Sequence, residues 1–118
     1  MGSRSADEAS AVPPVLQPFS LTIEGETTCP TVIVRGELDL GTAPQLREGL
    51  TGLSGTTRVD VDLAEVTFID STALGVLLSA LKHYRSVGSD LQVVAASPVV
   101  AKVLEISGLA PVLGTPGD

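Results

Sequence analysis

The chain has no tryptophan, two phenylalanines, one tyrosine, one histidine and one cysteine. With aromatics at 3%, a core has to be aliphatic, built from Val, Leu, Ile and Ala. A single cysteine, Cys29, rules out the disulfide framework of a small secreted domain and suits a reducing cytoplasm. No base or cation neighbours Cys29 in the sequence, so it reads as incidental rather than reactive. Cations are scarce as well: seven Lys and Arg, scattered, against fourteen acids, for a net charge of −7. That balance excludes the basic patch that nucleic acid or an anionic membrane requires, and it fits a partner with a basic surface. Long apolar runs are missing. The longest, Ala73 to Leu81, contains Gly75 and Ser79 and is far too short to span a bilayer. The opening MGSRSADEAS has no apolar signal segment, and Ala6 stands where an acylation start needs Ser or Thr. There is no phosphate-binding glycine loop, no metal-ligand spacing and no internal repeat. A cytoplasmic protein without a cofactor is expected.

What is present is enough for one domain. The chain has 118 residues, 43% hydrophobic and 18% charged, an ordinary globular balance. Residues 1–18, with Pro13, Pro14 and Pro18, read as a flexible tail, 19–114 as the domain and 115–118 as a C-terminal tail. Phe19, Leu21 and Ile23 alternate with polar residues as a half-buried strand. A turn over 25–30 leads to a second strand over 31–35, and the short connection predicts an antiparallel hairpin. Thr42 and Gln45 have capping-box spacing before a helix carrying Leu46, Leu50 and Leu53 on one face. Val59, Val61 and Leu63 alternate with Asp60 and Asp62 as a third strand, and Val66, Phe68 and Ile69 follow as a short apolar run. Asp70 or Ser71 caps a long helix with apolar positions Leu74, Leu77, Leu78, Leu81 and Tyr84, stopping at Gly88. Leu91 to Ala96 is a buried fourth strand. Ser97 and Pro98 start a last helix carrying Val99, Val103, Leu104 and Ile106. Strand–helix alternation after the hairpin demands crossover helices. The expected fold is α/β, a mixed, mostly parallel sheet of about four to five strands.

One segment carries the chemistry. Thr67 to Gly75 spans the handover from a strand to a helix, and Ser71 falls at the helix start, outside the carboxyl end of a strand. Backbone N–H groups and the helix dipole favour a negative group there, a phosphoryl group included. Gly75 would let a neighbouring element approach closely. The same Asp-Ser-Thr is also what an ordinary helix start looks like. Asp60, Asp62, Glu65 and Asp70 fall close together, and Glu37 and Asp39 belong to a loop expected at the same sheet edge. They read equally as a solvated face or as an acidic rim for a basic partner.

Three stretches add a resemblance. Gly36-Glu37-Leu38-Asp39 followed by Thr42-Ala43, then Ile69-Asp70-Ser71-Thr72-Ala73-Leu74-Gly75, then Leu104-Glu105-Ile106-Ser107-Gly108-Leu109 resemble, in order, three motifs of STAS domains of the stand-alone anti-sigma factor antagonist kind. The resemblance implies a STAS fold and partner switching. The unmodified chain would bind an anti-sigma factor that is a serine kinase and so release a sigma factor. Phosphorylation of Ser71, with Thr72 as the alternative, would end binding, and a serine phosphatase would reset it. The partner surface so implied is Glu37, Asp39, Asp70, Ser71, Thr72, Leu74 and Gly75. Two departures stand out. Ala73 replaces the commoner Gly, and Pro111, Gly114, Pro116 and Gly117 argue against a final helix.

Three other readings compete. Ser71 as an enzyme nucleophile fails: it lacks a Gly-x-Ser-x-Gly elbow, and the only histidine, His83, lies roughly 18 Å down the same helix. A STAS domain that binds nucleotide, or one that serves as a scaffold or sensor without a phosphoswitch, remains open at this point.

Overall fold

The computed structural model describes residues 18–114. The tails expected over 1–18 and 115–118 lie outside the described residues, Pro18 apart. Thr, Val and Ile crowd the stretch after Cys29, and β-branched side chains suit a pleated surface. That stretch forms β2 (Pro30–Leu38), paired antiparallel with β1 (Ser20–Gly25). β2 runs past the expected Arg35 to Leu38, so Glu37 is a strand residue and not a loop one. Gly36 looked like a strand end. It instead keeps Val32, Val34 and Leu38 in phase on one buried face.

Next come α1 (Ala43–Thr51), β3 (Val59–Ile69), α2 (Ser71–Ser86), β4 (Leu91–Ala96), α3 (Pro98–Ile106) and α4 (Ala110–Leu113). The sheet has the order β1-β2-β3-β4, with β2, β3 and β4 mutually parallel. Right-handed crossovers carry α1 and α2 to the same face, where they pack on each other.

β3 is one strand where a strand and a separate apolar run were expected. In a strand the side chains alternate, and one slip sends the apolar set to the wrong face. Leu63, Val66 and Ile69 are out of phase by that rule. Register irregularities between Ile33 and Arg35 and between Gly36 and Glu37 absorb the slips. Val66 and Ile69 therefore stay buried, while Phe68 turns outward and is 46% exposed.

Leu46 and Leu50 of α1 meet Leu74, Leu77, Leu81 and Tyr84 of α2 in one aliphatic core. β4 is less enclosed than expected, with Leu91 and Val93 buried and the rest partly so. Ile23 is likewise half-exposed, because β1 is an edge strand. α3 turns differently from the reading above. Val100 and Leu104 are its buried residues, while Val99 and Ile106 face solvent. The pivot is Ser97, whose Oγ donates to Val66 O at 2.6 Å and accepts from Val100 N at 3.3 Å. The segment after Gly108 forms one helical turn, against expectation. Pro111 sits in its first turn, where a missing N–H costs nothing, and Leu113 is fully buried.

The single tyrosine closes the base of the helix pair. Tyr84 is buried, and its hydroxyl donates to the carbonyl of Leu50 across the α1–α2 interface. Burial pushes its phenol above the ordinary value. The neutral form is thus favoured in the fold. This contribution is complete below the ordinary phenol range and is lost as pH rises through the folded value. In an alkaline titration, phenolate absorbance is expected to appear only above the range of free tyrosine, together with loss of helical circular dichroism. Tyr84→Phe removes the hydrogen bond, lowers stability by about 1 kcal/mol and abolishes the absorbance change.

Candidate functional site

The carboxyl ends of β2 and β3 lie side by side, with Leu38 paired to Ile69. Two loops leave there, and Asp70 joins them. Its amide donates to Leu38 O at 3.0 Å. Its Oδ1 accepts from Ala73 N at 3.0 Å, which caps α2. Its Oδ2 accepts from Leu40 N at 3.1 Å. One carboxylate thus starts the helix and fastens the neighbouring loop to it.

Asp39 does similar work in its own loop. Its Oδ1 accepts from Gly41 N at 2.9 Å and Thr42 N at 3.1 Å. The Thr42 hydroxyl donates to Glu37 O at 2.9 Å and accepts from Asp39 N at 3.0 Å. Thr42 does not cap α1 with its side chain, and the expected capping box with Gln45 is absent. Its hydroxyl is already committed to holding the loop closed.

These bonds redraw the expected acidic rim. Asp39 and Asp70 stand at the edge, but both oxygens of Asp70 and Oδ1 of Asp39 are engaged by backbone amides. Glu37 is exposed on the last turn of the pleat, opposite Phe68. Asp60 and Asp62 belong elsewhere. Asp60 is near the start of β3, roughly 30 Å from Ser71 at strand rise. There it pairs with Arg58 at 2.8 Å and receives the Cys29 thiol at 3.9 Å. Cys29 therefore has a cation nearby that its sequence neighbours do not reveal. The Asp60 carboxylate, by its hydrogen bond and its charge, raises the Arg58 guanidinium above its ordinary value. Asp62 accepts from Ala64 N, and Glu65 pairs with Arg35 at 3.0 Å.

Ser71 is the first residue of α2 and is exposed, as is Thr72. Neither hydroxyl has a hydrogen-bond partner among the described residues. Gly75 lies one turn on, also exposed. No atom of a neighbouring element comes within 4 Å of where its Cβ would be. The close approach expected there does not occur within this chain. Leu74, expected on the partner surface, is turned into the core at 8% exposure, where it supports the helix. Two apolar residues at this edge escaped the sequence reading: Leu40, 73% exposed, and Phe68. Leu40 sits between Asp39 and Gly41, with its amide fixed on Asp70 and its side chain left outside. Phe68 was hidden in what looked like a core run. His83 is exposed near the far end of α2. Among the described residues no three His, Cys, Asp or Glu side chains cluster as a metal set, and no helix is long and apolar enough to cross a membrane.

Comparison with known proteins agrees with this geometry. The family model described as Mlab, STAS domain matches residues 21–114. The anti-sigma-B factor antagonist of Staphylococcus aureus strain NCTC 8325 is 38% identical over 80 residues, 66% of this chain and 74% of that protein. Among solved structures, an anti-sigma factor antagonist from Mycobacterium paratuberculosis superposes with a TM-score of 0.75 at 23% identity, covering 90% of both chains. The Bacillus cell fate determinant SpoIIAA in its phosphorylated form gives 0.64 at 21% identity, over 84% of this chain and 93% of that one. The fold is theirs, the family match runs from β1 to α4, and the chain belongs to the STAS domain family, alongside the anti-sigma factor antagonists.

Proposed function

We propose that this chain is an anti-sigma factor antagonist, acting in the cytoplasm by partner switching, and that Ser71 is its phosphoryl acceptor. The observation that carries the reading is the Ser71 hydroxyl. It is exposed at the first residue of α2, beside a loop that Asp70 holds rigid, and the fold makes no use of it. The named relative supports the antagonist role. Unmodified, the edge offers Leu40 and Phe68 as apolar anchors around Ser71, Thr72 and Gly75, with Glu37 beside them. Exposed apolar anchors rimmed by polar groups are what an interface core needs. A kinase partner supplies the nucleotide and the base. The Ser71 Oγ attacks the γ-phosphorus of ATP, ADP departs, and the hydroxyl proton passes to the kinase. The domain itself needs no catalytic group, and a serine phosphatase returns it to the binding state.

The test is incubation of the full chain with its cognate anti-sigma kinase and ATP, followed by mass spectrometry of the tryptic peptides. Phosphate on Ser71 is expected. A kinase that binds the chain tightly and leaves it unmodified would reduce the reading to a scaffold. Gly75 supplies a separate check. A methyl there meets open space within the chain, so Gly75→Ala should stabilise α2 by about 0.5–1 kcal/mol. The same methyl should weaken partner binding about fivefold, as an intrusion into a close contact. Thermal melts and calorimetry read the two opposite signs.

A further inference from the structure

Between α1 and α2 lies an open groove of about 590 Å³. Pro44, Arg47 and Glu48 line it from α1, Thr72 and Val76 from α2, and Leu40 from the loop before α1. Ser71 is not among its lining residues. One residue along a helix is about 100° around the axis, so neighbouring hydroxyls face different surroundings. Arg47 is the unusual member. Arg35, Arg58 and Arg85 each hold a carboxylate. The Arg47 guanidinium has no ion pair or hydrogen bond among the described residues, although Glu48 stands beside it. On a chain of net charge −7, an exposed guanidinium on the groove wall, unpaired among the described residues, suits a doubly charged phosphate.

We propose that Thr72 is a second phosphoryl acceptor with a different consequence from Ser71, its phosphate being received by Arg47 across this groove. This rests on the reading above only for the donor, a kinase with ATP. The Thr72 Oγ1 attacks the γ-phosphorus, the bond to the bridging oxygen breaks, ADP leaves, and the proton goes to the kinase base. A phosphate on Ser71 stays in solvent beside Asp70. One on Thr72 is paired within the domain, and Glu48 is the one carboxylate on the groove wall that opposes it.

The experiment needs no kinase at first. Full-length chain is made with phosphothreonine at 72 or phosphoserine at 71, installed during synthesis, and each phosphate is titrated by phosphorus NMR. The second ionisation of the phosphate at 72 is expected to fall below that at 71 by roughly half a unit or more. Arg47→Gln should restore the first and leave the second unchanged. No effect of Arg47→Gln at 72, or an equal effect at both positions, overturns the pairing. Acceptor status is tested on Ser71→Ala chain with a kinase that modifies the wild type. Phosphate on Thr72 supports it, and an unmodified chain overturns it. Because the titration involves no partner, its failure leaves the antagonist reading untouched.

Discussion

Phosphorylation of Ser71 is expected to weaken binding of the anti-sigma partner by roughly two to three orders of magnitude. The phosphate brings about −1.5 to −2 charges to an exposed hydroxyl. In the free domain the start of α2 compensates part of this, by about 0.3–1 kcal/mol. The compensation is limited, because the Ala73 amide is already taken by Asp70. Asp70 and Glu37 carry the same sign as the phosphate. In the complex the charge must be desolvated between Leu40, Phe68 and the partner, and an uncompensated buried charge costs about 3–5 kcal/mol. The penalty exceeds the gain, so the sign is release. Calorimetry of unmodified and fully phosphorylated protein against the kinase, in a non-hydrolysable nucleotide, measures it. Ser71→Ala should bind within a few-fold of wild type and lose the switch. Ser71→Asp should fall between, since it adds one charge and not two. Equal affinities of phosphorylated and unmodified protein would sink the mechanism.

The fold was legible where one physical signal dominated. Alternation at Val59, Val61 and Leu63, helical spacing at Leu46 and Leu50, and Ser97-Pro98 at a helix start each had a single structural meaning. It failed where two signals overlapped. α3 is apolar nearly all round, so the periodicity that chose Val99 and Ile106 could as well have chosen Val100. In β3 the two register slips break the alternation that would have separated Phe68 from Val66 and Ile69. The site was half legible for a related reason. Asp70, Ser71 and Thr72 are adjacent, so their place at a helix start could be read directly. That Asp70 spends its second oxygen on Leu40, thirty positions earlier, depends on strand pairing that local sequence does not encode. Asp60 and Asp62 lie toward the far end of β3 because the strand runs unbroken from Val59 to Ile69, where a strand and a separate apolar run were expected.

Gly36→Ala should be the most damaging small substitution in the chain, and the reason lies in backbone rather than in the site. Gly36 is buried in β2 at φ +94°, a region that a side chain enters at a cost of about 1–3 kcal/mol. Its Cβ would stand 2.8 Å from Pro18 O and 2.9 Å from Phe19 Cα. Both are backbone atoms, so no rotamer change can relieve the contact, and the start of β1 must move. Phe19 would leave its place against the core, and the pairing of Ser20 with Arg35 would strain. Together these effects point to a loss of roughly 2–4 kcal/mol, or about 10–25 °C in melting temperature for a domain of this size. Thermal unfolding followed by circular dichroism measures this, with Gly75→Ala as the glycine control that moves the other way. A loss under about 0.5 kcal/mol would show that β1 is not pinned at Gly36. Below its melting point the variant should still bind the partner, because Asp70 holds the loop through Leu38 and Leu40 without help from β1. The glycine of the Gly-Glu-Leu-Asp segment therefore serves the edge of the sheet, and the aspartates serve the switch.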